Sequence, residues 1–129
     1  MSASPRVLVV EDDPSVRGLL QTLLVAEGYE VTTASDGLAG LLKAGSTRTA
    51  LILLDLMMPD LGGARVLEEL RADPALAATP VLVVTGKVDE LGPIQALVGE
   101  DSVFVKPFAV VELLDRVLEL TGGPSEEEA

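Results

Sequence analysis

Four short hydrophobic runs stop at chemically reactive side chains, and that pattern limits what this chain can fold into. Arg6-Val-Leu-Val-Val10 stops at Glu11-Asp12-Asp13, and Ala50-Leu-Ile-Leu-Leu54 stops at Asp55. Val81-Leu-Val-Val84 stops at Thr85-Gly86, and Val103-Phe-Val105 stops at Lys106-Pro107. Runs this short and this rich in Val, Leu and Ile read as strands buried on both faces of a parallel sheet. In open α/β sheets, ligands bind outside the carboxyl ends of the strands. The pattern predicts acids, a hydroxyl and an ammonium converging at one sheet edge. Such an edge suits a divalent cation and a phosphoryl group.

Helix-like segments alternate with these runs. Asp13-Pro14 is a helix start, because Asp can cap and Pro suits the first helical position. Val16, Leu19, Leu20, Leu23 and Leu24 then recur at helical spacing, and Gly28 suits a stop. Tyr29 to Thr33 alternates and is β-rich, which predicts a further strand. A short helix is expected over 36–44, ending at Gly45, with the next strand over about 49–54. Pro59 to Gly63 reads as a turn. The helix after it spans 64–72, carries Val66, Leu67 and Leu70 on one face, and ends at Asp73-Pro74. A strand is expected over 80–84. Gly92-Pro93 interrupts any helix within 87–99, which predicts a short or irregular segment there. The last strand is expected over 102–105 and the last helix over 108–120, with Val110, Leu113, Leu114, Val117 and Leu118 facing the core. Five βα units make an α/β fold.

Composition narrows the function. At 129 residues the chain is one domain with room for a single core. It has no Cys and no His, which excludes thiolate chemistry, a Ser-His-Asp triad and His-ligated zinc. A net charge of −12 with scattered basic residues argues against direct nucleic-acid binding. No apolar stretch approaches the ~18 residues of a membrane span, and Met1-Ser-Ala-Ser-Pro5 lacks the pattern of a signal peptide. A soluble cytoplasmic protein is the expectation. Residues 1–121 are expected to form the domain, and 122–129 an acidic mobile tail.

Single acids at strand ends are ordinary caps or solvated loop residues. Here Glu11 and Asp12 leave one strand and Asp55 leaves another. Three crowded carboxylates raise one another's pKa unless a cation joins them. Oxygen donors without His or Cys favour Mg²⁺, which keeps several waters and leaves room for a phosphoryl oxygen. Thr85 and Lys106 can donate hydrogen bonds to phosphoryl oxygens. Asp55 can act as a nucleophile and form an acyl phosphate.

In these residues the chain closely resembles the receiver domain of bacterial two-component response regulators. The resemblance rests on Val7-Leu-Val-Val-Glu-Asp-Asp-Pro14, Asp55-Leu-Met-Met-Pro59, Val84-Thr85-Gly86 and Val105-Lys-Pro-Phe108, four motifs in order. It covers roughly residues 6–120. It implies a doubly wound, flavodoxin-like, five-stranded parallel sheet of order 2-1-3-4-5. It also implies phosphorylation of Asp55 by a histidine kinase or a histidine phosphotransfer protein. By the same resemblance Asp12 binds Mg²⁺ directly, Glu11 binds it largely through water, and the Met57 backbone carbonyl is a further ligand. Thr85 and Lys106 then contact the phosphoryl group.

The chain departs from the family at three places. Val103 stands where an aromatic switch residue is usual, and Phe104, one place later, is expected on the opposite face with a buried side chain. The Gly92-Pro93 break falls in a helix that the family commonly uses for output. Met57 and Lys87 occupy two positions that flank the phosphoryl group, and a bulky Met57 is expected to obstruct attacking water and lengthen the life of the acyl phosphate.

The implied function is a phosphorylation-controlled signalling module that acts by binding an unidentified downstream protein, and not an enzyme in the usual sense. The alternative is an unphosphorylated scaffold for protein–protein interaction, which the intact Asp55, Thr85 and Lys106 set opposes. An aspartyl-phosphate phosphatase needs a second Asp at the position of Met57. A flavin site would want N–H donors where the acids stand. No further domain pattern follows Phe108, so the chain reads as a stand-alone receiver or as a piece of a longer regulator. Val103 and Val111 near the last helix are either ordinary core, the favoured reading, or part of a dimer face. A monomer or a phosphorylation-dependent dimer is expected.

Overall fold

The computed structural model describes residues 4–58, 60–86 and 91–124. Five strands, β1 (Arg6–Val10), β2 (Glu30–Ala34), β3 (Leu51–Leu54), β4 (Val81–Thr85) and β5 (Val103–Val105), form one sheet of order β2-β1-β3-β4-β5. All four pairings are parallel. The helices are α1 (Pro14–Ala26), α2 (Gly37–Ser46), α3 (Gly63–Ala72), α4 (Leu91–Val98) and α5 (Val110–Thr121), with a 3₁₀ turn at Glu100–Ser102 before β5. This is the α/β flavodoxin-like arrangement, and its order reverses between β1 and β3.

The side-chain alternation of each strand divides the core into two layers. Val7, Val9, Leu51, Leu53, Leu82 and Val84 meet Leu20 and Leu24 of α1 and Leu113 and Val117 of α5. Leu8, Val10, Ile52, Leu54, Val81 and Val83 meet α2, α3 and α4 on the other side. Strand positions covered on both faces must be apolar, which is why β1 after Arg6, β3, and β4 up to Thr85 read as continuous runs.

Local signals place several element ends. The Asp13 carboxylate caps α1 by accepting from the N–H groups of Ser15 at 2.8 Å and Val16 at 3.3 Å. Gly28 follows that helix with a φ of 99°, a left-handed value that suits glycine. Asp73 closes α3. Val66, Leu67 and Leu70 are all buried.

Other expectations need correction. Gly45 does not end α2, which runs to Ser46. Gly63 does not belong to the preceding turn but opens α3. Gly92-Pro93 does not break α4, because both residues lie in its first turn, where proline has no intrahelical N–H to lose. The segment is short, as expected, at 8 residues. Leu118 is 50% exposed and does not face the core, a role that falls to Leu113, Leu114, Val117 and Leu120. Val103 packs on the α2–α4 side, whereas Val111 is 70% exposed and is not core. Phe104 packs on the α1–α5 side, opposite Val103, but is only half-buried. The expectations for Pro59, Lys87 and the tail over 125–129 fall outside the described residues.

Candidate functional site

The reversal of strand order opens the sheet edge above β1 and β3. The backbone fixes two of the acids there. The Glu11 N–H donates to the Ala34 carbonyl of β2 at 3.1 Å, and the Asp55 N–H donates to the Val10 carbonyl of β1 at 3.1 Å. Each acid is thus stitched to a neighbouring strand as it leaves its own. Oxygens of Glu11, Asp12 and Asp55 lie within 4.8 Å of one another. Glu11 and Asp55 are only 2% and 5% exposed, and Asp12 lies nearer to solvent.

Among the described residues, one ammonium faces this cluster. Lys106 Nζ donates to Glu11 Oε1 at 2.8 Å and to Asp55 Oδ2 at 3.1 Å. The other Asp55 oxygen, Oδ1, accepts from the Met57 N–H at 2.9 Å. Lys106 is placed by β5, whose end is tied to β4: the Lys106 N–H donates to the Thr85 carbonyl at 2.8 Å. Thr85 ends β4 and is fully buried. The Lys106–Pro107 peptide is cis.

The electrostatics are those of a site short of positive charge. Burial, and then the hydrogen-bonded, like-charged Asp55, push the Glu11 carboxyl up to about 7 against the opposing pull of Lys106. Burial works to lower the Lys106 pKa, but its hydrogen bonds to Glu11 and Asp55 outweigh that and hold the net shift upward. Among the described residues, three carboxylates face the Lys106 ammonium, with the Arg17 guanidinium on the backbone beside them, and the remaining negative charge is one that a divalent cation offsets. The donors are all oxygen, which fits Mg²⁺.

Glu11, Asp12, Asp55 and Lys106 therefore meet as direct neighbours, and Thr85 stands at the adjoining strand end. Met57 follows Asp55 by two residues with its side chain 55% exposed. Its Sδ lies 3.9 Å from where a Cβ on Gly86 would stand.

Three residues that matter to this edge carried no sequence signal. Gly63 lies against the acceptor backbone: a Cβ there would be 2.3 Å from Leu56 Cα and 2.4 Å from the Asp55 carbonyl oxygen. Asp60 reaches across to α2, its carboxylate accepting from the N–H groups of Gly37 at 3.0 Å and Leu38 at 3.1 Å. The Gly37 bond, with help from the Leu38 bond, holds the Asp60 carboxyl below its ordinary value against the opposing effect of burial. Arg17 of α1 donates to the carbonyls of Glu11 and Asp12. Only packing reveals the first, and a partner 22 or more residues away reveals the second. The third is a short-range contact hidden by the helix that carries it.

With the fold and the acidic edge in place, comparison with known proteins decides the family. The response regulator receiver domain profile matches residues 7–118. This chain belongs to that family. The DNA-binding dual master transcriptional regulator RpaA of Synechocystis is 40% identical over 118 residues, 88% of this receiver and 47% of the relative. The DNA-binding response regulator MtrA of Mycolicibacterium smegmatis is 38% identical over 113 residues, 87% of this receiver and 48% of the relative. The chain thus spans about half the length of these curated relatives. Among solved structures, Vibrio cholerae chemotaxis protein CheY4 superposes with a TM-score of 0.81 at 32% identity, covering 92% of this receiver and 99% of that chain. Thermotoga maritima TrrA, solved with Mg²⁺ and BeF, gives a TM-score of 0.81 at 32% identity over 90% of this receiver and 98% of that chain. Among the described residues, no helix is long and apolar enough to cross a membrane.

Proposed function

We propose that this receiver accepts a phosphoryl group on Asp55 from a histidine kinase or a histidine phosphotransfer protein, with Mg²⁺ bound, and signals by phosphorylation-dependent protein binding. One observation carries the reading: a single ammonium, Lys106, touches both the buried acceptor Asp55 and its acidic neighbour Glu11. A site built only to support the fold would not bury two carboxylates beside a third.

In the transfer, one Asp55 oxygen forms the new O–P bond as the bond from phosphorus to the donor breaks. The donor group leaves with that electron pair. Lys106, already within reach, follows the charge onto the phosphoryl oxygens, and the Thr85 hydroxyl and the Gly86 N–H are offered as further donors. Glu11, Asp12, Asp55 and the Met57 carbonyl would hold Mg²⁺, which supplies positive charge against the transferring group. Met57 would screen the acyl phosphate from water. The acyl phosphate should therefore outlive that of Met57→Asn, and equal lifetimes would count against this role.

Residues 1–121 are read as the receiver unit and 122–129 as an acidic tail of a cytoplasmic signalling protein rather than an enzyme. Direct nucleic-acid contact by this unit is not proposed, given its net charge of −12. Exposed Val111 and Leu118 on α5 support docking of a downstream protein or a second copy there. Light scattering with and without a phosphoryl mimic tests the second copy; an unchanged monomer rules it out.

The test of the whole reading is intact mass after incubation with Mg²⁺ and acetyl phosphate. One phosphoryl adduct is expected, dependent on Mg²⁺ and absent from Asp55→Ala. If a cognate kinase also leaves the chain unmodified, the scaffold reading replaces this one.

A further inference from the structure

We propose that Arg17 is a positioning residue for the acidic turn after β1, holding the backbone so that the Asp12 carboxylate faces a divalent cation. This rests on the Mg²⁺ reading above. Arg17 Nη1 donates to the Glu11 carbonyl at 2.9 Å and to the Asp12 carbonyl at 3.2 Å. Among the described residues, no other hydrogen bond reaches either carbonyl. Both belong to a turn between strand and helix, where backbone groups lose their ladder partners and must find others.

The two acids differ in what else holds them. The Glu11 carboxylate is fixed by Lys106 at 2.8 Å and by the Asp13 N–H at 3.3 Å. The Asp12 carboxylate makes no hydrogen bond or ion pair with any described residue. Its direction is therefore set by the peptide planes on either side of it, and the guanidinium pins those planes. A planar fork with several donors suits this task, since one nitrogen can span two carbonyls and the group cannot lose its charge.

The helix gives Arg17 no reason to be there. It lies in the first turn of α1, where a cation opposes the helix dipole. Its charge near three carboxylates also competes with a metal ion. A purely electrostatic role and a positioning role therefore predict opposite signs. Removing a competing cation tightens Mg²⁺ binding, whereas releasing the turn weakens it.

Calorimetric Mg²⁺ titration of the wild type, Arg17→Met and Arg17→Lys reads that sign. Amide order parameters of residues 11–13 read the turn itself without metal. We expect Kd to rise about 10-fold in Arg17→Met, the low end for loss of a group that orients a metal ligand. Arg17→Lys should be intermediate, because an ammonium keeps the charge and several donors but loses the reach and fixed planar geometry that set one nitrogen on both carbonyls. Order parameters should fall from about 0.85 towards 0.6 in Arg17→Met. An unchanged or tighter Kd with an ordered turn overturns the proposal. If the wild type itself binds no Mg²⁺, the metal reading fails, and the order parameters alone decide whether Arg17 holds the turn. Should Arg17→Met fail to fold, a Kd for Arg17→Lys equal to the wild type's overturns the proposal, and a weaker one supports it.

Discussion

The two ends of this one sheet treat charge in opposite ways. At the carboxyl end, Glu11 and Asp55 are buried with Asp12 beside them, and among the described residues one ammonium, Lys106, pairs with two of these three acids. At the amino end, Arg6, Glu30 and Arg48 line an open groove of about 630 Å³. The Arg6–Glu30 pair there is long, at 3.9 Å, and its side chains are 34% and 53% exposed. Buried charge without full compensation costs stability, so its persistence points to function. A solvent-exposed pair of opposite sign contributes little, usually below about 1 kcal/mol, and fits an ordinary surface. The ends differ in balance and burial, not in the presence of charge.

Substitutions at the two ends should separate accordingly. The largest effect is steric. Gly63→Val drives a side chain into the Leu56 and Asp55 backbone, which cannot yield as a flexible side chain would. A loss of about 3 kcal/mol or more is expected in urea unfolding. Gly45→Ala on α2, with nothing within 4 Å, should instead gain up to about 1 kcal/mol. A tolerated Gly63→Val would show that the acceptor loop is not held as described.

Next comes charge. Asp55→Asn removes one of the crowded carboxylates and should raise stability by about 1 kcal/mol in a chelating buffer, while ending phosphoryl transfer. A destabilised Asp55→Asn would mean that the ion pair with Lys106 outweighs the repulsion.

The pH dependence follows from Glu11, whose carboxyl sits near 7 when folded against an ordinary value of 4.5. Between those values the folded chain keeps a proton that the unfolded chain has lost. Without metal, this group's contribution to stability therefore falls as pH rises from about 4.5 to 7, by on the order of 1–3 kcal/mol. Urea unfolding at pH 5 and pH 8 should show that drop, and Glu11→Gln should flatten it. Mg²⁺ displaces the proton, so its affinity should rise over the same range. A wild-type profile as flat as that of Glu11→Gln would contradict the shift.

The smallest effect belongs to the other end. Arg6→Ala should change stability by less than about 0.5 kcal/mol and leave phosphorylation intact. An effect comparable to those at the carboxyl edge would erase the contrast between the two ends.

Much of this was legible in the sequence because period and burial leave marks. β3 is apolar throughout, β1 after Arg6 and β4 up to Thr85, so both their existence and their carboxyl ends were visible, and with them Glu11, Asp55 and Thr85. Asp13-Pro14 named its own role as a cap. What stayed hidden depends on partners distant in sequence or on close approach. Asp60 shows its role only once α2 lies beside it, and Gly63 only once the acceptor backbone lies against it. Proline in α4 misled because the same residue breaks a helix interior and suits a first turn, and only the helix start distinguishes the two. Leu118 shares the helical spacing of its neighbours but lies at the margin of the apolar stripe, where spacing alone does not assign a face.

The central claim is that the carboxyl edge is organised around Asp55 as a phosphoryl acceptor. The most direct test is to phosphorylate the chain with Mg²⁺ and acetyl phosphate or a cognate kinase, trap the acyl phosphate with hydride, and locate the reduced residue by peptide mass. Reduction at Asp55 alone, lost without Mg²⁺ and in Lys106→Ala, is the result predicted. A mark on Glu11, Asp12 or a residue outside the cluster, or no mark with either donor, would contradict it.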